Sequence, residues 1–207
     1  MRAGVSVPRP RIFTDVGVFV REGFLPPARA AEVIAAAACG GGAPTEIFSN
    51  DDRMASHPEV RRVWEVALTD ETDRTVTAAL DALRPELELA FDLSLGSHEG
   101  IAALRYPTGA FYLPHRDCGA EPSASGPHRR AVSVVIFVNG TSPGMPTPFD
   151  GGHLRLYECL PDSAGDVGLD MVPEAGTLVA FRSDQLHEVM PVTRGERYTL
   201  VTWFGSR

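Results

Sequence analysis

The second half of this chain is a succession of short apolar or alternating runs. From Ile101 to Phe204 they read IAALRY, AFYLPH, RAVSVVIFVN, HLRLYE, GTLVAF, LHEVMPV and ERYTLVTWF. Loops rich in glycine, proline and serine separate them, among them CGAEPSASGPH and GTSPGMPTPFDGG. Many short strands bounded by such loops are typical of an antiparallel sandwich or jelly roll, and not of repeated βαβ units.

The amino-terminal half predicts one strand followed by helices. Residues 16–24 (VGVFVREGF) alternate and are rich in β-branched side chains, which favours a strand. Pro27 then suits the start of a helix that the GGG triplet ends. Residues 57–68 and 70–91 carry apolar side chains at three- and four-residue spacing, which predicts two more helices. We expect Pro85 to kink or divide the second of them.

Composition restricts the classes of function. A chain of 207 residues with 43% apolar content is expected to form one globular domain. The net charge is −8 and the basic residues are dispersed, which argues against nucleic acid or an anionic membrane as partner. All 19 basic residues are arginines, so mechanisms that need a lysine, such as a pyridoxal-phosphate Schiff base or a P-loop, are excluded.

Cysteine usage and hydropathy indicate the compartment. The three cysteines, Cys39, Cys118 and Cys159, are far apart and odd in number, so they predict neither a disulfide framework nor a zinc motif. Residues 1–15 lack the apolar core of a signal peptide, and no run approaches the roughly eighteen apolar residues of a membrane span. We therefore expect a cytoplasmic protein, with its oligomeric state left open.

A histidine and an aspartate one residue apart end the stretch YPTGAFYLPHRD. On a strand, residues i and i+2 project to the same face, so His115 and Asp117 can offer two ligands to one metal ion. The alternative is a surface pair at a strand end, because a single H-x-D arises easily by chance. Two histidines and one carboxylate on one face of the metal are the donor set of non-haem Fe(II) centres, which keep positions open for a cosubstrate and O₂.

The third ligand and an anion-binding residue are expected from the last two strands. His187 begins a strand-like run far along the chain from His115, where a sandwich can bring it alongside. Arg197 follows ten residues later in RYTLVTWF, and its planar fork suits the distal carboxylate of an acid such as 2-oxoglutarate. None of the other histidines has a basic residue at that offset.

These residues resemble a known family. RYPTGAFYLPHRD, RRAVSVVIFVN, DGGHLRLYE and FRSDQLHEVMPVTRGERYTLVTWF are similar, in order and approximate spacing, to the prolyl-4-hydroxylase-like branch of the Fe(II)/2-oxoglutarate-dependent dioxygenases. The resemblance implies an α+β fold, mainly β in the carboxy-terminal half, with a double-stranded β-helix (jelly roll) buttressed by amino-terminal helices. We expect a single oxygenase domain over residues 1–207, with a strand and supporting helices over about 16–98 and the jelly-roll core over about 99–204.

The resemblance also implies roles for individual residues and the cofactors Fe(II), 2-oxoglutarate and O₂. It gives iron ligation and catalysis to His115, Asp117 and His187, and cosubstrate binding to Arg197. The further cosubstrate residues that we expect are Tyr106, Leu154 and Thr199. Because halogenating members lack the carboxylate ligand, the aspartate favours oxygenation.

Two positions depart from the family pattern. Phe137 stands where close relatives often have a second cosubstrate-binding tyrosine, and it offers no hydroxyl. His153 stands in GGHL where many members read GGEL, and we expect it to affect only a surface or loop interaction.

The substrate is less well specified than the metal site. The expected activity is hydroxylation of an unactivated C–H bond in a small or amino-acid-like molecule, with succinate and CO₂ as coproducts. Desaturation and cyclisation stay open, as do a peptidyl prolyl hydroxylase and a non-catalytic jelly-roll metal-binding module. Tyr112 and Arg182 are the candidate substrate residues, and the loops 118–129 and 139–151 are candidate lids.

Overall fold

The structure is a computed structural model. It describes residues 16–207 except 41, 46, 49–53, 56, 119–128, 142–146, 160–166 and 173. Most of the first candidate lid and the centre of the second therefore lie outside the described residues.

Strands outnumber helices along the described chain. The two helices are α1 (Pro27–Gly40) and α2 (Asp70–Phe91). The strands before the second helix are β1 (Val18–Arg21), β2 (Ala43–Pro44), β3 (Ile47–Phe48), β4 (Met54–Ala55) and β5 (Trp64–Val66). Those after it are β6 (Leu95–His98), β7 (Ala102–Pro107), β8 (Tyr112–His115), β9 (Arg130–Phe137), β10 (Asp150–Gly151), β11 (Leu154–Tyr157), β12 (Gly168–Met171), β13 (Leu178–Arg182), β14 (His187–Val189), β15 (Val192–Arg194) and β16 (Glu196–Ser206).

Two antiparallel sheets dominate the architecture. The larger has eight strands in the order β1-β13-β9-β16-β7-β5-β2, with β6 also paired to β16. The smaller has four strands in the order β12-β11-β14-β8. Two-stranded ladders β10-β15 and β3-β4 complete the described pairings. Most neighbouring strands are not consecutive in sequence, as expected for a jelly roll. The predicted α+β class with a mainly β carboxy-terminal half is confirmed.

The helices cover one face of the larger sheet. Alternate residues of β16, namely Tyr198, Leu200 and Phe204, pack in one apolar cluster with Val76, Leu80, Leu83 and Leu87 of α2. Burying each such side chain contributes roughly 1.5–3 kcal/mol. The opposite face of β16 is thereby left to face the smaller sheet, and the candidate site lies there.

Local sequence explains the boundaries of α2. Thr69 caps its start by accepting a hydrogen bond from the backbone N–H of Thr72 at 3.2 Å, and acidic residues fill its first turn. Asp92 ends it in the left-handed conformation. Neither described helix combines the length and apolar character that a membrane crossing requires.

One prediction about the amino-terminal half was wrong, and one alternative of another is excluded. Residues 57–68 form a turn and strand β5 instead of a helix, because the β-branched valines at a spacing of three imitate a helical period. Pairing of Trp64 with Arg105 and of Val66 with Ala103 adds this segment to the larger sheet. Pro85 does not divide α2, because it lies on the exposed face, where the carbonyl that it leaves without a helical partner can bind water.

Candidate active site

Two adjacent strands of the smaller sheet place two imidazoles side by side. His115 ends β8 and is the direct cross-strand partner of His187, which begins β14. Their ring centroids are 4.2 Å apart. Asp117 follows two residues after His115, with Oδ1 3.6 Å from His115 Nε2 and Oδ2 3.5 Å from His187 Nε2. The three possible ligand atoms all lie within 4.8 Å of one another.

Backbone carbonyls orient both imidazoles. His115 Nδ1 donates to the carbonyl of Leu113 at 2.8 Å, and His187 Nδ1 donates to the carbonyl of Gln185 at 2.9 Å. Each Nε2 is therefore left unprotonated in the neutral ring and directed to the cluster. Burial lowers the pKa of His187 to about 4, although the nearby Asp117 carboxylate acts in the opposite direction. Because this pKa is well below 7, the imidazole of His187 is neutral near pH 7.

The carboxylate is also held from behind. Ser133 on β9 donates from Oγ to Asp117 Oδ2 at 2.7 Å and lies 2.9 Å from the hydroxyl of Ser183. The backbone N–H of Asp117 donates to the carbonyl of Ser183 at 2.9 Å. Burial alone would raise the pKa of Asp117, but His187, His115 and the Ser133 hydroxyl outweigh it and hold that pKa well below its usual range.

Arg197 is a buried cation on the face of β16 that lines the cavity with the His-Asp-His cluster. Only 1% of the residue is exposed, and its guanidinium lies between the rings of Tyr106, at 4.7 Å, and Phe137, at 4.9 Å. One nitrogen is 3.5 Å from the Thr199 hydroxyl, and Nε has no hydrogen-bond partner. No carboxylate among the described residues pairs with this guanidinium. Burial lowers the pKa of Arg197, but a guanidinium remains charged near neutrality.

A glycine makes room for that arginine. Gly152 has a φ of +60°, and a Cβ built there would lie 3.0 Å from Arg197 Cδ and 2.9 Å from Val192 Cγ2. The second glycine of the GGHL stretch is therefore a steric requirement of the anion-binding residue. His153, the next residue, lies outside this space, with its Nδ1 3.4 Å from Asp170 Oδ2.

One cavity joins the His-Asp-His cluster to Arg197. The side chains that line it are Arg61, Leu104, Tyr106, Tyr112, His115, Asp117, Ser133, Val134, Val135, Leu154, His187, Val189, Arg197, Thr199, Val201 and Trp203. Alternate residues of β16, from Arg197 to Trp203, supply one wall, as the period of a strand requires. Apolar side chains fill most of the remaining surface, which favours exclusion of bulk water.

All but one of the candidate residues from the sequence line this cavity. Leu154 is 1% exposed, and Tyr112 stacks on His115 with ring centroids 3.5 Å apart. Burial raises the pKa of Tyr112 to about 12. Arg182 is exposed, lies outside the cavity, and has its Nε 3.5 Å from Asp184 Oδ1.

Among the cavity residues that were not predicted, three are polar or aromatic. Ser133 has a recognisable signal, since it is the lone hydroxyl within the apolar run RAVSVVIF. Trp203 has the signal of strand parity, since it lies six residues after Arg197 on the same strand. Arg61 has no such signal, because it reaches the cavity through a segment whose periodicity indicated a helix.

The donor set fits Fe(II) and 2-oxoglutarate. Two imidazole nitrogens and one carboxylate on one side of a cavity are the ligands of non-haem Fe(II) oxygenases. A buried arginine without a carboxylate partner in the described structure is a ready site for the distal carboxylate of a dicarboxylic acid. His115, Asp117 and His187 would hold the metal, and Arg197 the cosubstrate.

Sequence comparisons agree with this chemistry. The family model of the 2OG-Fe(II) oxygenase superfamily matches residues 101–205. A PKHD-type hydroxylase of Sphingopyxis alaskensis is 34% identical over 102 residues, which cover 49% of this chain and 42% of that protein. Another, of Thioalkalivibrio sulfidiphilus, is 32% identical over 160 residues, or 71% of this chain and 62% of that protein. The chain spans about half the length of the curated relatives that it matches.

Structural comparison extends the match to nearly the whole chain. A prolyl-4-hydroxylase of Pseudomonas putida is 31% identical with a TM-score of 0.67, and the alignment covers 95% of this chain and 98% of that one. A prolyl hydroxylase of Trichoplax adhaerens, solved with a peptide fragment, aligns with the same TM-score over 92% of this chain and 84% of that one. Its 20% identity shows the fold alone.

Proposed function

The chain belongs to the 2OG-Fe(II) oxygenase superfamily, and we propose that it hydroxylates an unactivated C–H bond of a small, amino-acid-like molecule. This family uses Fe(II), 2-oxoglutarate and O₂. The observation that carries the proposal is that one cavity contains a His-Asp-His cluster together with a buried arginine that has no carboxylate partner among the described residues.

The protein's own groups have separable tasks. When bound, iron and cosubstrate supply the oxidative decarboxylation of 2-oxoglutarate to succinate and CO₂, coupled to insertion of one oxygen atom of O₂ into a C–H bond. His115, Asp117 and His187 hold the metal, and Ser133 fixes the carboxylate through its 2.7 Å hydrogen bond. Arg197 binds the distal carboxylate of the cosubstrate, with Thr199 beside it.

The cavity walls position the substrate and exclude water. Val135, Leu154 and Val201 line the cavity, and their side chains offer no hydrogen bonds. Trp203 presents an aromatic surface at the end of the same strand face, and its ring is covered by the guanidinium of Arg130, 3.6 Å from the ring centroid. An apolar ring or chain can pack on this surface while its C–H bond is directed to the metal site.

A prolyl residue within a peptide is the second candidate substrate. It is favoured by the 31% identity to the Pseudomonas putida prolyl-4-hydroxylase over nearly the full length of both chains. The third reading, a metal-binding module without activity, requires the same cluster but no turnover of 2-oxoglutarate.

Anaerobic titration tests the proposal. Fe(II) and 2-oxoglutarate, added together without O₂, should produce a visible charge-transfer band that neither produces alone. Admission of O₂ should then convert 2-oxoglutarate to succinate, slowly without a substrate and faster with one that gains an oxygen atom by mass spectrometry. Iron binding without the charge-transfer band and without succinate would contradict the proposal and favour the metal-binding module without activity.

A further inference from the structure

Arg61 occupies a fixed position on the cavity wall. It forms an isolated antiparallel bridge with Tyr112, and its guanidinium lies over the Tyr112 ring, with Cζ 4.8 Å from the centroid. The same ring stacks on His115, with the two ring centroids 3.5 Å apart. Tyr112 therefore contacts both the guanidinium of Arg61 and the imidazole of His115, a residue of the proposed metal site.

This guanidinium has no acidic partner among the described residues. Arg105 pairs with Glu196, and Arg130 pairs with Glu99 at 2.7 Å. No described carboxylate lies within 4.0 Å of Arg61, and its buried Nε has no hydrogen-bond acceptor. An unpaired donor at a cavity wall costs free energy unless a ligand supplies the acceptor.

Charge balance indicates what that ligand carries. Among the described residues that line the cavity, Asp117 is the only carboxylate, and Arg61 and Arg197 are the only arginines. Fe(II), the Asp117 carboxylate and the Arg197 guanidinium together would carry a net charge of about +2. The two carboxylates of 2-oxoglutarate would balance that charge. The positive charge of Arg61 then has no counterpart among the described residues that line the cavity.

We propose that Arg61 binds a carboxylate of the substrate, so that the enzyme acts on a free or N-acylated α-amino acid and not on a residue inside a peptide. The inference rests on the proposed function and names its substrate class. Arginine pairs with a carboxylate through two parallel hydrogen bonds. An internal prolyl residue presents a neutral amide at the same place and would leave the cation unpaired.

Matched acids and amides test this role. The probes are L-proline and N-acetyl-L-proline, each beside its carboxamide, with substrate-dependent succinate formation as the readout. In the wild-type protein at least one acid should exceed its amide by about tenfold or more in kcat/KM. Arg61→Met should reduce the acid-to-amide ratio to about one, and Arg61→Lys should restore part of it, because the charge returns without the fork.

Arg62→Met is the matched control. Arg62 is the neighbouring residue, but it is exposed and lies over Phe111, 5.6 Å from the ring centroid, outside the cavity lining. Its variant should keep the wild-type preference for the acid.

Three results would overturn the inference but not the proposed function. The first is that an amide or a proline-containing peptide is used as well as the acid, and the second is an unchanged acid-to-amide ratio of kcat/KM in Arg61→Met. The third is no response to either acid while substrate-free succinate formation persists. Absence of any 2-oxoglutarate turnover would overturn the proposed function and this inference with it.

Discussion

His115 and His187 are direct partners across two antiparallel strands, and their imidazole centroids lie 4.2 Å apart. Strand pairing rather than a loop sets their separation, so both rings are held by the ladder of the smaller sheet. Asp117 joins them through its backbone hydrogen bond to Ser183. A metal site built in this way is preorganised before the ion arrives, which underlies the predictions below.

His187→Ala should abolish equimolar Fe(II) binding and succinate formation. The site has three protein ligands, so the loss of one leaves too few to retain the ion. Iron bound per chain, measured after anaerobic desalting, checks this. His153→Ala is the control, because His153 pairs with Asp170 away from the cluster and should bind iron as the wild type does. Full iron binding by His187→Ala would contradict the proposed ligand set.

Ser133→Ala should weaken Fe(II) binding by about 10–100-fold, because it removes the hydrogen bond that orients Asp117. Anaerobic titration of the metal alone measures the dissociation constant, so the readout does not depend on activity. Ser183→Ala is the matched comparison. Its hydroxyl contacts Ser133 and not the carboxylate, and its backbone contact to Asp117 survives, so its effect should be clearly smaller. Equal effects of both variants would argue for general loosening of the core.

Arg197→Ala should raise the 2-oxoglutarate requirement about tenfold or more, since an unpaired carboxylate buried in this cavity costs about 2–5 kcal/mol. Iron binding should change little, because Arg197 does not contact the cluster directly. The dependence of the charge-transfer band on 2-oxoglutarate concentration measures the effect. Arg182→Ala, on the exposed side of β13, should leave the requirement unchanged. A normal requirement in Arg197→Ala would place the anchor of the cosubstrate elsewhere.

Gly152→Ala should destabilise the protein by about 1–2 kcal/mol, because a side chain at this positive φ is strained. It should also weaken 2-oxoglutarate binding, since the new Cβ meets Arg197 Cδ at 3.0 Å. Denaturant unfolding and cosubstrate titration give the two effects separately. Gly100→Ala is the control, because a Cβ there meets nothing within 4 Å and its φ is not positive. Wild-type stability and affinity in Gly152→Ala would contradict the steric argument.

Much of the fold could be predicted from local pattern. Each of the seven runs that alternate or cluster in the carboxy-terminal half contains a strand of the structure. The predicted family, fold class and cofactors are confirmed. The roles of the individual site residues, and the extent of a single domain over the whole chain, stay predictions.

Local pattern failed where a partner strand decided the conformation. The valines near Trp64 have a spacing compatible with either a helix or a strand, and pairing with β7 selects the strand. That choice also carries Arg61 to the cavity, which no periodicity indicated. Arg182 is the opposite case: it was predicted as a substrate residue because it is close in sequence to His187, but it lies outside the cavity.

The sequence by itself determined which side chains share a face. His115 with Asp117, and Arg197 with Thr199, follow from the two-residue period of a strand, and they identify the chemistry without any structure. Only the tertiary structure decided which faces meet. The register of β8 against β14 sets the two histidines opposite each other, and the approach of Gly152 makes space for Arg197. Such contacts join residues far apart in the chain, and their geometry depends on packing of the whole core, which no local pattern encodes.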